Sequence, residues 1–122
     1  MTEYAVLLIG DEGVWERATP EQRTETYGRH DQYMKALEER GHKITGGAEL
    51  SHSRTARTLR GSSADATVTD GPYAETVEQL GGFYLVETDN LDDLIEVSKI
   101  LSDGDGGIEI RACVPPPDED GA

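Results

Sequence analysis

Apolar and polar positions alternate along this chain with two different periods. Tyr4-Ala5-Val6-Leu7-Leu8-Ile9 is an almost unbroken apolar run ended by Gly10-Asp11-Glu12-Gly13, which predicts a mostly buried strand over Glu3 to Ile9. Val14 and Trp15 are assigned to the loop that follows. Thr19-Pro20-Glu21-Gln22 predicts a helix start, with Thr19 as N-cap, Pro20 at N1 and Gln22 at N3 completing a capping box. This helix is expected to reach about Arg40 and to stop at Gly41. Its inward stripe is Tyr27, His30, Met34 and Leu37, while Glu21, Glu25, Arg29, Lys35 and Glu39 face water.

Period two returns after the helix. Lys43 to Leu50 is a strand interrupted by Gly46-Gly47, the mark of a bulge or of a close approach. Ala56 to Arg60 and Ala66 to Thr69 predict a hairpin around Gly61-Ser62-Ser63. Gly82 to Glu87 predicts a further strand. Asp89-Asn90-Leu91-Asp92-Asp93 opens a second helix with acidic residues at its positive end, and its stripe is Leu91, Leu94, Ile95, Ser98 and Leu101. Ile108 to Val114 alternates as a half-buried strand. Without the hairpin the order is βαββαβ, so an α+β, ferredoxin-like fold with an inserted β-hairpin is expected. Two helices then cover one sheet face. The other apolar face is expected to close against a second copy, giving a homodimer packed sheet to sheet. Residues 1–114 form the expected domain, and 115–122 an acidic, Pro-rich disordered tail.

Composition narrows the function classes. The net charge of −14, from 25 acidic and 11 basic residues, repels DNA, RNA and anionic membranes, so neither nucleic acid nor membrane is an expected partner. The start lacks a basic segment followed by an apolar one, and the longest apolar run is too short to span a bilayer. A cytoplasmic protein is therefore expected. The single cysteine, Cys113, excludes an internal disulfide and reads as a buried small hydrophobe. His42 and His52 fall on turns, without His-x-x-x-His or Cys-x-x-Cys spacing, so no metal site is expected. No Gly-rich phosphate loop precedes a helix and no serine elbow is present; no cofactor is expected.

The stretch richest in chemistry is Val68-Thr69-Asp70-Gly71-Pro72-Tyr73-Ala74-Glu75-Thr76, continuing through Glu78-Gln79-Leu80 to Gly81-Gly82-Phe83-Tyr84. A strand delivers the Asp70 carboxylate into a turn that Pro72 stiffens. This stretch resembles the signature of the DGPF branch of the YCII-like family, with Tyr73 where that branch has Phe. The first strand, the helix carrying His30 and the Gly46-Gly47 pair are similar as well. The resemblance covers nearly the whole chain except the tail. It implies a dimeric α+β barrel similar to muconolactone isomerase, with a helix histidine and a motif aspartate, His30 and Asp70 here, as the site. It also implies an association with extracytoplasmic-function sigma factors, and it supplies no substrate.

A His–carboxylate pair is a workable acid/base unit, because the carboxylate fixes the tautomer and the other ring nitrogen faces substrate. The expected function is thus a small cofactor-free enzyme acting on an organic acid or ketone-like molecule by an isomerase-, lyase- or hydrolase-type step. His30 and Asp70 are its catalytic residues, and Tyr73, Trp15 and Gly82 bind the ligand. Each has a structural alternative: a helix–sheet hydrogen bond for His30, a turn cap for Asp70, packing for Tyr73 and Trp15, a bulge for Gly82. The rival function is a non-catalytic ligand-binding or sigma-factor-associated regulatory module. Arg54, Arg57 and Arg60 are read either as an anion site or as partners of nearby carboxylates.

Overall fold

The computed structural model describes residues 1–117. Strands β1 (Thr2–Asp11), β2 (Lys43–Glu49), β5 (Glu78–Thr88) and β6 (Gly107–Ala112) form one antiparallel sheet in the order β2-β5-β1-β6. Helices α2 (Pro20–Glu39) and α3 (Leu91–Ser98) connect them, and a short α1 (Glu12–Arg17) precedes α2. The hairpin β3 (Arg57–Arg60) and β4 (Thr67–Asp70) is a separate two-stranded sheet. This is the expected α+β, ferredoxin-like arrangement with its inserted hairpin. Of the expected tail, Pro115–Pro117 are exposed and without regular structure, and 118–122 lie outside the described residues.

The start of α2 follows from local chemistry. Thr19 Oγ1 accepts from the Gln22 N–H at 3.1 Å, and Gln22 Oε1 accepts from the Thr19 N–H at 2.9 Å. The two bonds satisfy donors that a helix terminus leaves free. The inward face differs from the expected stripe. Tyr33 and Leu37 are the buried residues of α2, while Tyr27 is 47% and Met34 37% exposed. The helix is rotated so that Tyr33 enters the core with Val6, Val86, Leu94, Val97 and Leu101. A buried phenol needs a polar partner. Ser98 Oγ donates to the Leu94 carbonyl at 2.7 Å, so the Tyr33 O–H donates to Ser98 at 2.8 Å. In α3, Val97 takes a core position that the expected stripe omitted, and Ile95 is exposed.

Three further expectations change. Trp15 sits on α1 rather than in a loop, because Asp11 caps that helix by accepting from the Gly13 N–H at 2.8 Å. Strand β5 begins at Glu78, four residues earlier than expected, since Glu78 to Leu80 pair with Asp11 to Ile9 beyond a bulge. His42 is buried rather than set on a turn. Its Nε2–H donates to Asp93 at 2.7 Å, and its Nδ1 shares a hydrogen bond of 2.7 Å with the Thr88 hydroxyl. Asp93 also takes the Arg40 guanidinium. Cys113 is half-buried. No helix among the described residues is long and apolar enough to cross a membrane.

The Asp93 cluster joins the end of α2 to the start of α3. Hydrogen bonds from Arg40 and then His42 hold the Asp93 carboxyl below its ordinary pKa. A depressed carboxylate stabilises the fold fully above its ordinary value, and that contribution is lost as pH falls through the depressed one. Asp93→Asn should therefore lower the urea midpoint at neutral pH, and the gap from wild type should shrink below about pH 4. A gap that stays constant with pH contradicts this assignment.

Candidate functional site

A cleft of about 1020 Å³ opens between the first half of α2 and the sheet. Trp15 on α1, Tyr27, His30 and Met34 on α2, Glu49 at the end of β2, and Gly82 and Tyr84 on β5 line it. The local sequence explains the floor. A Cβ at Gly82 would stand 2.9 Å from the Ala48 carbonyl oxygen, so only glycine allows the two strands this separation. Trp15 meets Tyr27 edge to face, with ring centroids 5.5 Å apart. Arg23 fixes α1 in place: its guanidinium donates to the Trp15 and Glu16 carbonyls at 3.0 and 3.2 Å.

Inside the cleft, His30 Nδ1 lies 2.6 Å from the Tyr84 hydroxyl. The two rings stack at 5.8 Å, and Tyr33 meets the Tyr84 ring at 5.2 Å. Burial lowers the His30 pKa, opposed by the Glu49 and Asp31 carboxylates, so the imidazole is neutral at pH 7. Burial, with Tyr33 and Asp31 adding to it, pushes the Tyr84 phenol up to about 12. Both groups are therefore uncharged. The phenol is the better donor and the imidazole nitrogen the better acceptor. Tyr84 O–H thus donates to Nδ1, and the proton of His30 resides on Nε2. Nε2 has no protein partner and is not a buried orphan, so it is reachable from the cleft.

The structure does not bring His30 and Asp70 together within the chain. Asp70 ends β4 with its side chain 84% exposed and pairs with Arg57 at 3.2 Å, its cross-strand neighbour. The reason is the turn that follows. Gly71 adopts φ +106°, donates its N–H to the Ala56 carbonyl at 2.8 Å, and accepts from the Thr58 hydroxyl at 2.8 Å. The Asp-Gly-Pro sequence thereby ties the base of the hairpin. Tyr73 is 74% exposed, and the Arg60 guanidinium lies 4.4 Å over its ring. Of the expected site residues, His30, Trp15 and Gly82 share the cleft. Asp70 lines a neighbouring one of about 610 Å³, and Tyr73 lines neither. The three arginines bind nearby groups, Arg54 pairing with Glu16 at 2.9 Å.

Sequence reasoning missed Tyr84 and Glu49. The signal for Tyr84 was its period-two register with Val86, which faces it toward the inward His30. Glu49 had none, because its partner, the Tyr27 hydroxyl at 3.1 Å, is set by the rotation of α2. No cluster of three or more His, Cys, Asp or Glu could hold a metal ion among the described residues.

The YCII-related domain family matches residues 2–115. The chain belongs to that family. An uncharacterized protein of Rhizobium meliloti (strain 1021) is 35% identical over 111 residues, covering 88% of this chain and 89% of the relative. Both matches run through the cleft and the hairpin of this YCII-related protein, and neither carries a named activity.

The geometry fixes how His30 should titrate. Its pKa should lie below the ordinary imidazole value in the wild type. It should fall further in Glu49→Gln, which removes an attractive charge, and should stay put in Asp70→Asn. A marked fall in the Asp70 variant, read from the ring proton signals against pH, would show a pairing that the structure lacks.

Proposed function

We propose that this YCII-related protein is a small-molecule enzyme whose acid group is His30, supported by Tyr84. The observation that carries this reading is the His30–Tyr84 hydrogen bond inside an aromatic cleft, with Nε2 left free. A neutral imidazole held in one tautomer is a directed hydrogen-bond donor. It can stabilise negative charge developing on a ketone-like oxygen in an isomerase-, lyase- or hydrolase-type step. As the Nε2 proton moves toward that oxygen, Nδ1 draws on the Tyr84 proton. With the phenol at about 12 that relay stops short of a full tyrosinate at neutral pH. The chemistry asks for no cofactor.

On a carbonyl substrate found by screening, His30→Ala should lose about 10²–10³ in kcat, the usual cost of one such donor. Tyr84→Phe should lose less, and Asp70→Asn little. Activity should persist on the acid side as His30 becomes charged, because the imidazolium keeps its Nε2 proton and donates it more readily, and should hold well into the alkaline range. Turnover indifferent to His30→Ala rejects the enzyme reading in favour of a binding module.

The working unit is proposed to be a homodimer. Ala5, Leu7, Phe83 and Leu85 lie on the sheet face away from the helices and are only half-buried in one chain. Their β2 neighbours on that face, Gly46 and Ala48, are too small to cover them. An apolar sheet face of this kind closes against another sheet. Sedimentation should give twice the chain mass, and Leu85→Asp should shift it to a monomer. A wild-type monomer at micromolar concentration overturns the proposal.

A further inference from the structure

We infer that the cleft selects a cation: an ammonium group on a small apolar or aromatic body that also presents an oxygen to His30. The inference rests on the reading of the cleft as a binding site and names its ligand class. Eight carboxylates and three guanidiniums line the cleft. Each guanidinium is already engaged. Arg29 pairs with Glu25 at 3.4 Å, Arg54 pairs with Glu16 at 2.9 Å, and Arg23 donates to two carbonyls through one nitrogen, its buried Nε being without a partner. Asp31, Glu49, Asp103 and Asp105 have no basic partner among the described residues. A ligand carboxylate would enter a field in which carboxylates outnumber guanidiniums eight to three, with only Arg23 lacking a carboxylate partner. A ligand ammonium would be drawn in, because a cleft lined by one sign of charge concentrates the opposite sign.

The walls point the same way. Glu49 is held at the aromatic side of the cleft by the Tyr27 hydroxyl, which reaches its two oxygens at 3.1 and 3.2 Å. Trp15 and Tyr27 meet there edge to face. Aromatic faces attract cations, and the Arg23 guanidinium already lies 5.2 Å over the Trp15 ring. A carboxylate fixed beside aromatic rings is the surrounding an ammonium needs: one full opposite charge, with polarizable surface for the rest. The negative field reaches the reacting end too, since Glu49 and Asp31 both favour the charged form of His30. The inferred ligand thus differs in charge from the organic acid expected from the sequence.

Trp15 is the only tryptophan and stands in the cleft wall, so its fluorescence reports occupancy directly. Benzylammonium, benzyl alcohol and benzoate share one shape and differ in charge. Titrated into the wild type at low salt, benzylammonium should bind at least about tenfold more tightly than benzoate, and the advantage should shrink as salt screens the cleft. Glu49→Gln should weaken benzylammonium severalfold and leave benzyl alcohol unchanged; circular dichroism checks that the variant is folded. Benzoate binding as well as benzylammonium, or no saturable response to benzylammonium, overturns the inference. Neither result touches the enzyme reading, which His30→Ala tests separately.

Discussion

The fold and the site both depend on how the ring of Tyr84 is buried. Tyr84 faces the helices from β5, an inner strand held by β1 on one side and β2 on the other. One edge of its ring meets Tyr33 in the core, and its hydroxyl meets His30 in the cleft. A phenol in that position must find a polar partner, and the helix supplies one. Each polar tip under the helices is handled in this way: Tyr33 by Ser98, His42 by Thr88 and Asp93, Tyr84 by His30. The first two partnerships are closed. The third alone leaves a ring nitrogen open to the cleft, which is where the proposed chemistry would act.

The most conspicuous segment of the sequence turns out to serve the hairpin. Asp70, Gly71 and Pro72 anchor it, with Gly71 supplying a positive φ that other residues rarely adopt and Arg57 neutralising Asp70. Arg60 folds over Tyr73 in the same arm. The Asp-Gly-Pro part of the motif fixes a β-arm beside the cleft, while Gly82 and Tyr84, at the far end of the same stretch, line the cleft itself.

What the sequence allowed and what it concealed follow from the range of the forces involved. Local chemistry was legible: the Thr19–Gln22 capping box, an irregularity beside Gly46 and the hairpin around Gly61-Ser62-Ser63 all appear. The strand order followed from element order. The rotation of α2 was not legible, because Tyr27, Tyr33 and Met34 are all apolar enough to face inward. The choice of Tyr33 depends on Ser98, 65 residues away. The early start of β5 was hidden for the same reason, since Glu78 to Leu80 become a strand only by pairing with the end of β1. Of the residues that line the cleft, His30, Trp15 and Gly82 were named from the sequence. The partner of His30 was misassigned, because Asp70 is eye-catching in sequence, while Tyr84, though it closes the same stretch, reads as an ordinary strand residue.

The central claim is that Tyr84, rather than a carboxylate, fixes His30 as a neutral donor aimed into the cleft. The most direct measurement is the pair of ring ¹⁵N chemical shifts of His30 at neutral pH. A neutral imidazole with its proton on Nε2 is expected in the wild type, and a mixture of tautomers in Tyr84→Phe. A charged imidazole, or a wild-type pattern unchanged by Tyr84→Phe but altered by Asp70→Asn, would contradict it.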